Sequence, residues 1–287
     1  MAYQWIVPAG TVRRRILLCH GITSSHEAYL PSGHRANCPD GGWGNAFIGP
    51  GKALDPEQGD MVLCINTLGS WFGSTGAEPG SAVALSGLTM GDMARAQWCV
   101  LDHLDIDCVD ILIGYSFGGY LAVEMACQQE KRVRTLLQLA SGFRGRADPS
   151  GVAAIQAMIA LPSQERRQAV TAWRRELLER YGYVRWLKDR NGAGAAECLE
   201  HEVAAWTASV SLEALLTLRH AAAGFDRTEF APAVALTAIR WDSDPLFPRW
   251  QLGEAPPCRK LTLSSPYGHC APLAQPHLWT PYLSLPA

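Results

Sequence analysis

The stretch GYSFGGY, residues 114–120, decides the fold of this chain. It places Ser116 between glycines, directly after the apolar run Ile111-Leu112-Ile113 and directly before a helix-forming segment from Tyr120 to Gln128. The pattern G-x-S-x-G between a strand and a helix is the nucleophile elbow, in which a sharp backbone turn holds the serine hydroxyl clear of the sheet. A turn serine beside a glycine pair is the alternative. Because a strand and a helix flank the motif, we favour a nucleophile at Ser116.

Short apolar runs bounded by turn residues recur on both sides of this motif. Runs of this length and composition are typical of the buried strands of a parallel sheet. Helical patterns lie between them, such as Thr89 to Leu104, where apolar residues recur at spacings of three and four. The alternation predicts an α/β fold with a mostly parallel central sheet flanked by helices. The predicted strands are Ile16–Cys19, Met61–Ile65, Val109–Ile113, Val133–Leu139, Val234–Ile239 and Leu261–Leu263.

The pattern changes between residues 149 and 228. Stretches rich in Ala, Glu, Arg and Leu run from Gly151 to Tyr181 and from Ala195 to Ala223, with no strand-like run. Apolar runs resume at Val234. We therefore predict a core made of residues 1–148 and 229–287, with residues 149–228 inserted as a helical cap (lid) over one edge of the sheet.

The composition is that of a folded protein with a sizeable core. The chain has 287 residues, of which 48% are hydrophobic and 18% charged, which favours one core carrying an insertion. The net charge is −2 and the basic residues form no extended patch, so nucleic-acid binding is not expected. The nine cysteines lack C-x-x-C and zinc-ligand spacing, which predicts reduced thiols and no metal site. The first apolar stretch is too short for a signal peptide or a membrane span, so we expect a cytoplasmic protein without a membrane partner.

A serine hydroxyl with its ordinary pKa is a poor nucleophile, so Ser116 needs a base and an acid that orients the base. After a nucleophile elbow the partners follow in the order Asp or Glu, then His. His269 follows the last predicted strand, and both Asp242 and Asp244 follow the strand that ends at Ile239. We favour Asp244, because the loop must reach outward before its carboxylate can meet the imidazole. Asp242, close to the strand end, is the alternative.

Acyl transfer also needs donors for a developing oxyanion. The elbow offers the backbone N–H of Phe117, and the loop after the strand Ile16–Cys19 offers the backbone N–H of Ile22. Since both donors are backbone N–H groups, the apolar side chains of Ile22 and Phe117 do not prevent these residues from binding an oxyanion.

Three further residues are candidates for substrate binding. Trp71 and Phe72 either line an acyl or acceptor pocket or pack beneath the cap. Cys270, next to His269, is either a reactive thiol or a buried inert one, and we favour the buried thiol.

Several separate blocks of sequence resemble one family. They are GWGNAFIGPGKALD at 42–55, NTLGS at 66–70, GSTG at 73–76, DMARAQ at 92–97, SDPLFP at 243–248 and Gly268-His269. In this order the blocks resemble the homoserine O-acetyltransferase family of α/β-hydrolase-fold proteins. The resemblance covers residues 15–140 and 234–275, and so is far more specific than one motif.

The resemblance implies a chemistry. That family forms an acyl-enzyme on its serine from acetyl-CoA and passes the acyl group to the hydroxyl of homoserine. By resemblance Ser116, Asp244 and His269 are nucleophile, acid and base, with Ile22 and Phe117 at the oxyanion positions. It also implies small-molecule substrates, no bound cofactor, acyl-CoA as a co-substrate and a homodimer as a candidate oligomer.

One departure bears on the acceptor. The family typically has an aspartate directly after its catalytic histidine, suited to a substrate ammonium, whereas this chain has Cys270. A neutral thiol supplies no charge-assisted hydrogen bond to an ammonium.

Three functions are therefore open. The first is acyl transfer from acyl-CoA to a small hydroxyl or amine, and the second is carboxylic ester hydrolysis, with water as the acceptor. Both reactions proceed through the same acyl-serine. Which of them occurs depends on whether the cap excludes water from that intermediate. The third is a hydrolase-fold binding protein without turnover.

Overall fold

A computed structural model describes residues 1–31, 42–76, 87–146, 148–230, 233–248, 250 and 255–283. Within these residues one seven-stranded sheet has the order β1-β3-β2-β4-β5-β6-β7, and every neighbouring pair except β1 with β3 is parallel. The strands are β1 Tyr3–Ile6, β2 Arg14–Cys19, β3 Asp60–Ile65, β4 Val109–Tyr115, β5 Val133–Leu139, β6 Ala235–Trp241 and β7 Arg259–Leu263. The predicted α/β class is confirmed.

The strand that the apolar runs do not reveal is β1. It pairs antiparallel with β3 along one edge only, and Tyr3 and Trp5 are exposed. An edge strand with one solvent-facing side carries no continuous apolar run, unlike β3 and β4, which are buried at every position.

Some helices pack on the faces of the sheet, and the others lie in the segment between β5 and β6. They are α1 Met90–His103, α2 Phe117–Gln128, α3 Pro149–Ala160, α4 Ser163–Arg180, α5 Tyr183–Asn191, α6 Ala195–Ser209, α7 Leu212–Ala223 and the short α8 Ala271–Ala274. One face packs Leu17 and Leu63 against residues of α1 and α2, such as Met93 and Leu121. The other face packs strand residues against Trp279 of the C-terminal segment.

The two long helical stretches expected between β5 and β6 are each divided. Pro162 separates α3 from α4, because proline lacks the N–H that a helix interior needs and disfavours helical backbone before it. Ser211 starts α7 afresh, its side chain accepting from the backbone N–H of Ala214 at 3.1 Å. Helix α5 lies in a segment where no helix was predicted.

Helices α3 to α7 carry an apolar cluster of their own. Ile155, Val170, Trp206 and Leu215 are buried together in it. The assignment of residues 149–228 as a separate cap domain remains a prediction. The word "cap" below denotes helices α3 to α7 and the turns that join them. Among the described helices none has the length and apolar character needed to span a membrane.

The parallel sheet places the candidate site at one edge. Ser116 follows the last residue of β4, and Ile22 lies shortly after the end of β2. Asp244 follows β6, and His269 follows β7. Because parallel strands have their carboxyl ends on the same side, four segments distant in sequence converge there.

Candidate active site

The turn at Ser116 is strained. Its φ is 55° and its ψ is −119°, a conformation that costs free energy for a residue with a Cβ. Gly118 makes the turn possible, since a Cβ at that position would lie 1.9 Å from the carbonyl oxygen of Cys19. A Cβ on Gly114 would likewise lie 2.4 Å from the carbonyl oxygen of Gly118. The glycines of the motif therefore let α2 approach both β2 and β4 closely enough to hold the serine at the bend.

Ser116, His269 and Asp244 form a connected chain of hydrogen bonds. The Oγ atom of Ser116 lies 2.8 Å from Nε2 of His269, and Nδ1 of His269 lies 2.9 Å from Oδ2 of Asp244. All three side chains are buried. The arrangement can move a proton from the hydroxyl to the imidazole while the carboxylate orients the ring.

The structure brings Asp244, and not Asp242, to the imidazole. Oδ1 of Asp244 accepts from the backbone N–H groups of Leu246 at 2.7 Å and Phe247 at 3.2 Å. Burial by itself raises the pKa of Asp244, but His269 and these N–H groups outweigh it, so that the pKa lies below its ordinary value. Asp242 is exposed and accepts from the backbone N–H of Ser265 at 3.2 Å.

Aromatic side chains enclose the imidazole of His269. The ring of Tyr115 stacks on it with centroids 5.4 Å apart, and Tyr181 and Phe247 contact it at 5.3 and 5.9 Å. The Tyr115 hydroxyl also donates to the carbonyl oxygen of His269 at 2.9 Å. Since burial raises the pKa of Tyr115 well above its ordinary value, this hydroxyl keeps the proton that it donates.

The loop that carries Ile22 passes directly over the elbow. A Cβ on Gly21 would lie 3.8 Å from the Cβ of Ser116. The carbonyl oxygen of Gly21 lies 2.9 Å from Nδ1 of His20 and accepts from the backbone N–H of Ser24 at 3.0 Å. Since a peptide group is planar, these contacts fix the plane that also contains the Ile22 N–H.

The second predicted oxyanion donor lies at the start of α2. Phe117 is the first residue of that helix. The N–H groups of the first helical turn have no partner within the helix, so the Phe117 N–H remains a candidate donor to a ligand at the elbow.

His20 is the residue that supports this loop. It is buried, and burial lowers its pKa to about 4, so that the ring is neutral near pH 7. Nε2 accepts from the backbone N–H of Thr67 at 3.4 Å, which assigns the ring proton to Nδ1 as the donor to Gly21.

A cavity of about 1340 Å³ lies over Ser116 and His269. Its walls come from the Ile22 loop, the elbow, the His269 turn and the cap. Phe72 lines the cavity. Trp71 instead packs beneath the cap, with its ring 6.3 Å from that of Trp206. A role for Phe72 in substrate binding remains a prediction.

Cys270 lines the cavity as a buried thiol. Burial raises its pKa to about 12, so the side chain is a neutral thiol and a weak nucleophile.

Arg174 and Glu202 are cavity residues that the sequence did not single out. Nη2 of Arg174 lies 2.9 Å from Oε1 of Glu202, and its guanidinium group lies over the ring of Trp206 at 4.5 Å. Among the described residues the buried Nε of Arg174 has no partner. The next residue, Arg175, makes a similar pair with Glu200 at the exposed surface. Burial separates the two arginines, and helical spacing carries a signal of it, since Arg174 lies four residues after Val170 and three before Leu177 on the buried face of α4.

Among the described residues, hydrogen bonds join the cap to the site on both sides of the elbow. The backbone N–H of Cys270 donates to the carbonyl oxygen of Tyr181, at the end of α4, at 3.0 Å. The indole N–H of Trp206 donates to the carbonyl oxygen of Thr23, beside Ile22, at 3.3 Å. Movement of the cap therefore acts on both the histidine turn and the loop over the elbow.

The fold and the site together define a class of protein. Residues 14–170 match the family model described as α/β hydrolase fold, and the chain belongs to that family. Within it, the sequence resembles homoserine O-acetyltransferases, as the ordered blocks of sequence predicted. The enzyme of that name from Geobacter sulfurreducens is 38% identical over 138 residues, which are 45% of this chain and 36% of the relative. The one from Symbiobacterium thermophilum is 36% identical over 155 residues, which are 51% of this chain and 38% of the relative.

The matched segment thus spans little more than a third of the length of these relatives. Solved structures share the architecture more widely. Homoserine O-acetyltransferase from Bacillus anthracis has a TM-score of 0.75 at 18% identity, over 98% of this chain and 90% of that one. Esterase E22 has a TM-score of 0.72 at 16% identity, over 98% and 92%. Similarity at these identities shows a common fold.

Proposed function

We propose that this protein is an acyltransferase that carries an acyl group on Ser116, from an acyl-CoA thioester to a small hydroxyl or amine acceptor. The observation that carries the proposal is the chain of hydrogen bonds from Ser116 through His269 to Asp244. The Ser116–His269 distance is 2.8 Å and the His269–Asp244 distance is 2.9 Å, and Ser116 and His269 line the cavity beneath the cap. A proton path of this kind activates a serine for attack on a carbonyl.

In the first half-reaction His269 takes the proton of Ser116 as Oγ attacks the thioester carbonyl. The oxyanion accepts from the N–H groups of Ile22 and Phe117. The C–S bond then breaks, His269 returns the proton to the departing sulfur, and a thiol leaves the acyl-serine behind. In the second half the acceptor loses its proton to His269 and attacks the ester carbonyl. The bond between the acyl carbon and Ser116 Oγ then breaks, and His269 returns the proton to Oγ.

Charged groups in the cavity support an acceptor other than water. Arg174 and Glu202 present a guanidinium and a carboxylate to the space that Ser116 also lines. Such a pair suits a small acceptor that carries a charge of its own. Because Cys270 is a neutral thiol, an ammonium in the cavity would have to be met by a carboxylate elsewhere in its wall, such as Glu202 beside Arg174. The names of the sequence relatives make homoserine the first acceptor to test.

Carboxylic ester hydrolysis is the second candidate. The cavity is large, and exposed side chains such as Arg180 and Lys52 line part of it, which favours entry of water. Water that reaches the acyl-serine would be activated by the same imidazole.

The deciding experiment follows thiol release from acetyl-CoA and hydrolysis of a short-chain aryl ester, each with and without homoserine and a panel of small alcohols and amines. Acceptor-dependent thiol release is expected. Ester turnover that no acceptor changes would favour the hydrolase instead.

Covalent labelling tests the nucleophile separately. A fluorophosphonate should modify the wild-type protein at Ser116, whereas Ser116→Ala should stay unlabelled. Failure of the wild type both to turn over and to be labelled would leave a non-catalytic binding protein as the better account.

A further inference from the structure

A second group of polar side chains lines the same cavity, away from the triad. It consists of Tyr120, Arg146, Asp148 and Arg219, here called the Tyr120 cluster. Tyr120 lies one helical turn after Ser116 on α2, a rise of about 6 Å along the helix axis. Tyr120 therefore lies near the nucleophile on the same helix.

Tyr120 is a buried hydrogen-bond donor without an acceptor. Its ring packs against Phe225 and Phe247 at 5.0 and 6.1 Å, and 4% of the residue is exposed. In the part of the chain that the structure describes, its hydroxyl finds no acceptor for its proton. Burial raises the pKa of Tyr120 to about 12, so the hydroxyl remains protonated near pH 7. A buried donor of this kind calls for a ligand that accepts.

The charges around Tyr120 are mainly positive. The Arg146 guanidinium lies 5.8 Å from the ring of Phe247, and that of Arg240 lies 6.0 Å from the same ring. Arg219 bonds Asp148 through Nη1 at 2.9 Å, but its buried Nε has no partner among the described residues.

The one carboxylate of the cluster is already occupied. Oδ1 of Asp148 accepts from the backbone N–H of Gly151 at 3.0 Å and from the Ser150 hydroxyl at 2.9 Å. Its Oδ2 accepts from Arg219. The cluster thus offers a hydroxyl donor and guanidinium donors, and its own acceptor is in use.

We propose that the Tyr120 cluster binds an anionic group of the acyl donor, and that this group is a carboxylate at the far end of a short acyl chain. The inference rests on the acyl-serine chemistry proposed above. The burial of Tyr120 and its position one turn from Ser116 favour an acyl carboxylate over a phosphate of the carrier, which is the other source of the same acceptor chemistry. The preferred donor is then the monothioester of a short dicarboxylic acid.

The test compares matched thioesters. Succinyl and 4-oxopentanoyl groups have nearly the same shape, but a methyl ketone replaces the terminal carboxylate in the second. Each is offered as the N-acetylcysteamine thioester, which lacks phosphates, and as the CoA thioester. The rate of acylation of Ser116 is followed by intact-protein mass spectrometry together with thiol release.

The variants isolate the cluster. Tyr120→Phe removes only the hydroxyl, and Arg146→Gln removes an exposed cation. Arg144→Gln is the matched control, because Arg144 is an exposed arginine that pairs with Asp226 and does not line the cavity. Near-ultraviolet circular dichroism verifies that each variant is folded.

The wild type is expected to favour succinyl over 4-oxopentanoyl by about tenfold or more with either carrier, the value of a hydrogen bond to a charged group. Tyr120→Phe and Arg146→Gln should each reduce that ratio at least about threefold, and Arg144→Gln should keep it. The wild type could instead react faster with CoA thioesters than with N-acetylcysteamine thioesters, whatever the acyl group. If Arg146→Gln and Tyr120→Phe removed that difference and Arg144→Gln did not, the cluster would be an anion site whose ligand is a phosphate of the carrier.

Equal rates for all four thioesters would overturn the inference and leave the proposed acyltransferase standing. No acylation of Ser116 by any thioester would overturn both.

Discussion

Gly182 lies against the carbonyl oxygen of Tyr267, two residues before the imidazole of His269. A Cβ built on Gly182 would lie 2.3 Å from that oxygen, and its φ of +84° is one that L side chains rarely adopt. The turn between α4 and α5 therefore packs backbone against backbone on the histidine segment.

Gly182→Ala should displace that segment and lower kcat/KM for ester or thioester turnover by about 100-fold, the cost of misplacing a catalytic group by about 1 Å. Steady-state kinetics measure it. Gly194→Ala is the control, since Gly194 also lies in the cap, has a φ of −78° and has nothing within 4 Å of a Cβ. Equal losses in the two variants would contradict the packing argument.

The two aspartates after β6 should differ sharply in function. Asp244→Asn removes the carboxylate that orients Nδ1 of His269, and should lower kcat by about 10³-fold to 10⁴-fold. Asp242→Asn changes an exposed side chain and should lower it less than about threefold. Rates of acyl-enzyme formation with an aryl ester distinguish the two variants. Similar losses in both would contradict the assignment of Asp244 as the residue that orients His269.

Arg174 should act on the acceptor. Arg174→Gln removes the guanidinium group from the cavity, and should raise KM for a charged acceptor by about tenfold or more, a larger factor than its effect on kcat. Arg175→Gln breaks the corresponding exposed pair with Glu200 and should leave KM within about twofold. The measurement is the acceptor dependence of thiol release at saturating donor. A fall in kcat alone, with KM unchanged, would argue against acceptor binding by Arg174.

His20 should make stability depend on pH. Burial lowers its pKa from 6.5 to about 4 in the folded protein, so below pH 6.5 the unfolded chain binds a proton that the folded chain does not. Its contribution is complete above about pH 6.5 and is lost progressively as the pH falls toward 4, by roughly 3 kcal/mol in all. Urea unfolding between pH 7.5 and 4.5 measures the slope.

His20→Gln should flatten that slope, because its side chain does not titrate, whereas His103→Gln changes an exposed histidine on α1 and serves as the control. Parallel stability curves for the wild type and His20→Gln would show that the buried ring does not carry the effect.

Much of the fold was predictable, because its signals are local. Buried strands such as β5 are rich in apolar residues, and Val133–Leu139 was located at its observed bounds. The elbow needs glycines at fixed offsets from Ser116, whatever lies elsewhere in the chain. Strand β1 and the division of the long cap helices at Pro162 and Ser211 were missed. Strand β1 was missed because it has an exposed face. The two helix boundaries were missed because each depends on a single residue within a stretch of strongly helix-forming composition.

By itself the sequence determined the class of fold and the resemblance to homoserine O-acetyltransferases, and it predicted a nucleophile at Ser116 with its partners in order, since each is written in short contiguous patterns. Only the tertiary structure decided between Asp242 and Asp244, divided Trp71 from Phe72, and brought Arg174, Glu202 and the Tyr120 cluster into one cavity. The physical reason is burial. Whether a side chain is a solvated surface group or a dry, charged wall of a site depends on chain segments far away in sequence, and no local pattern records which of them will cover it.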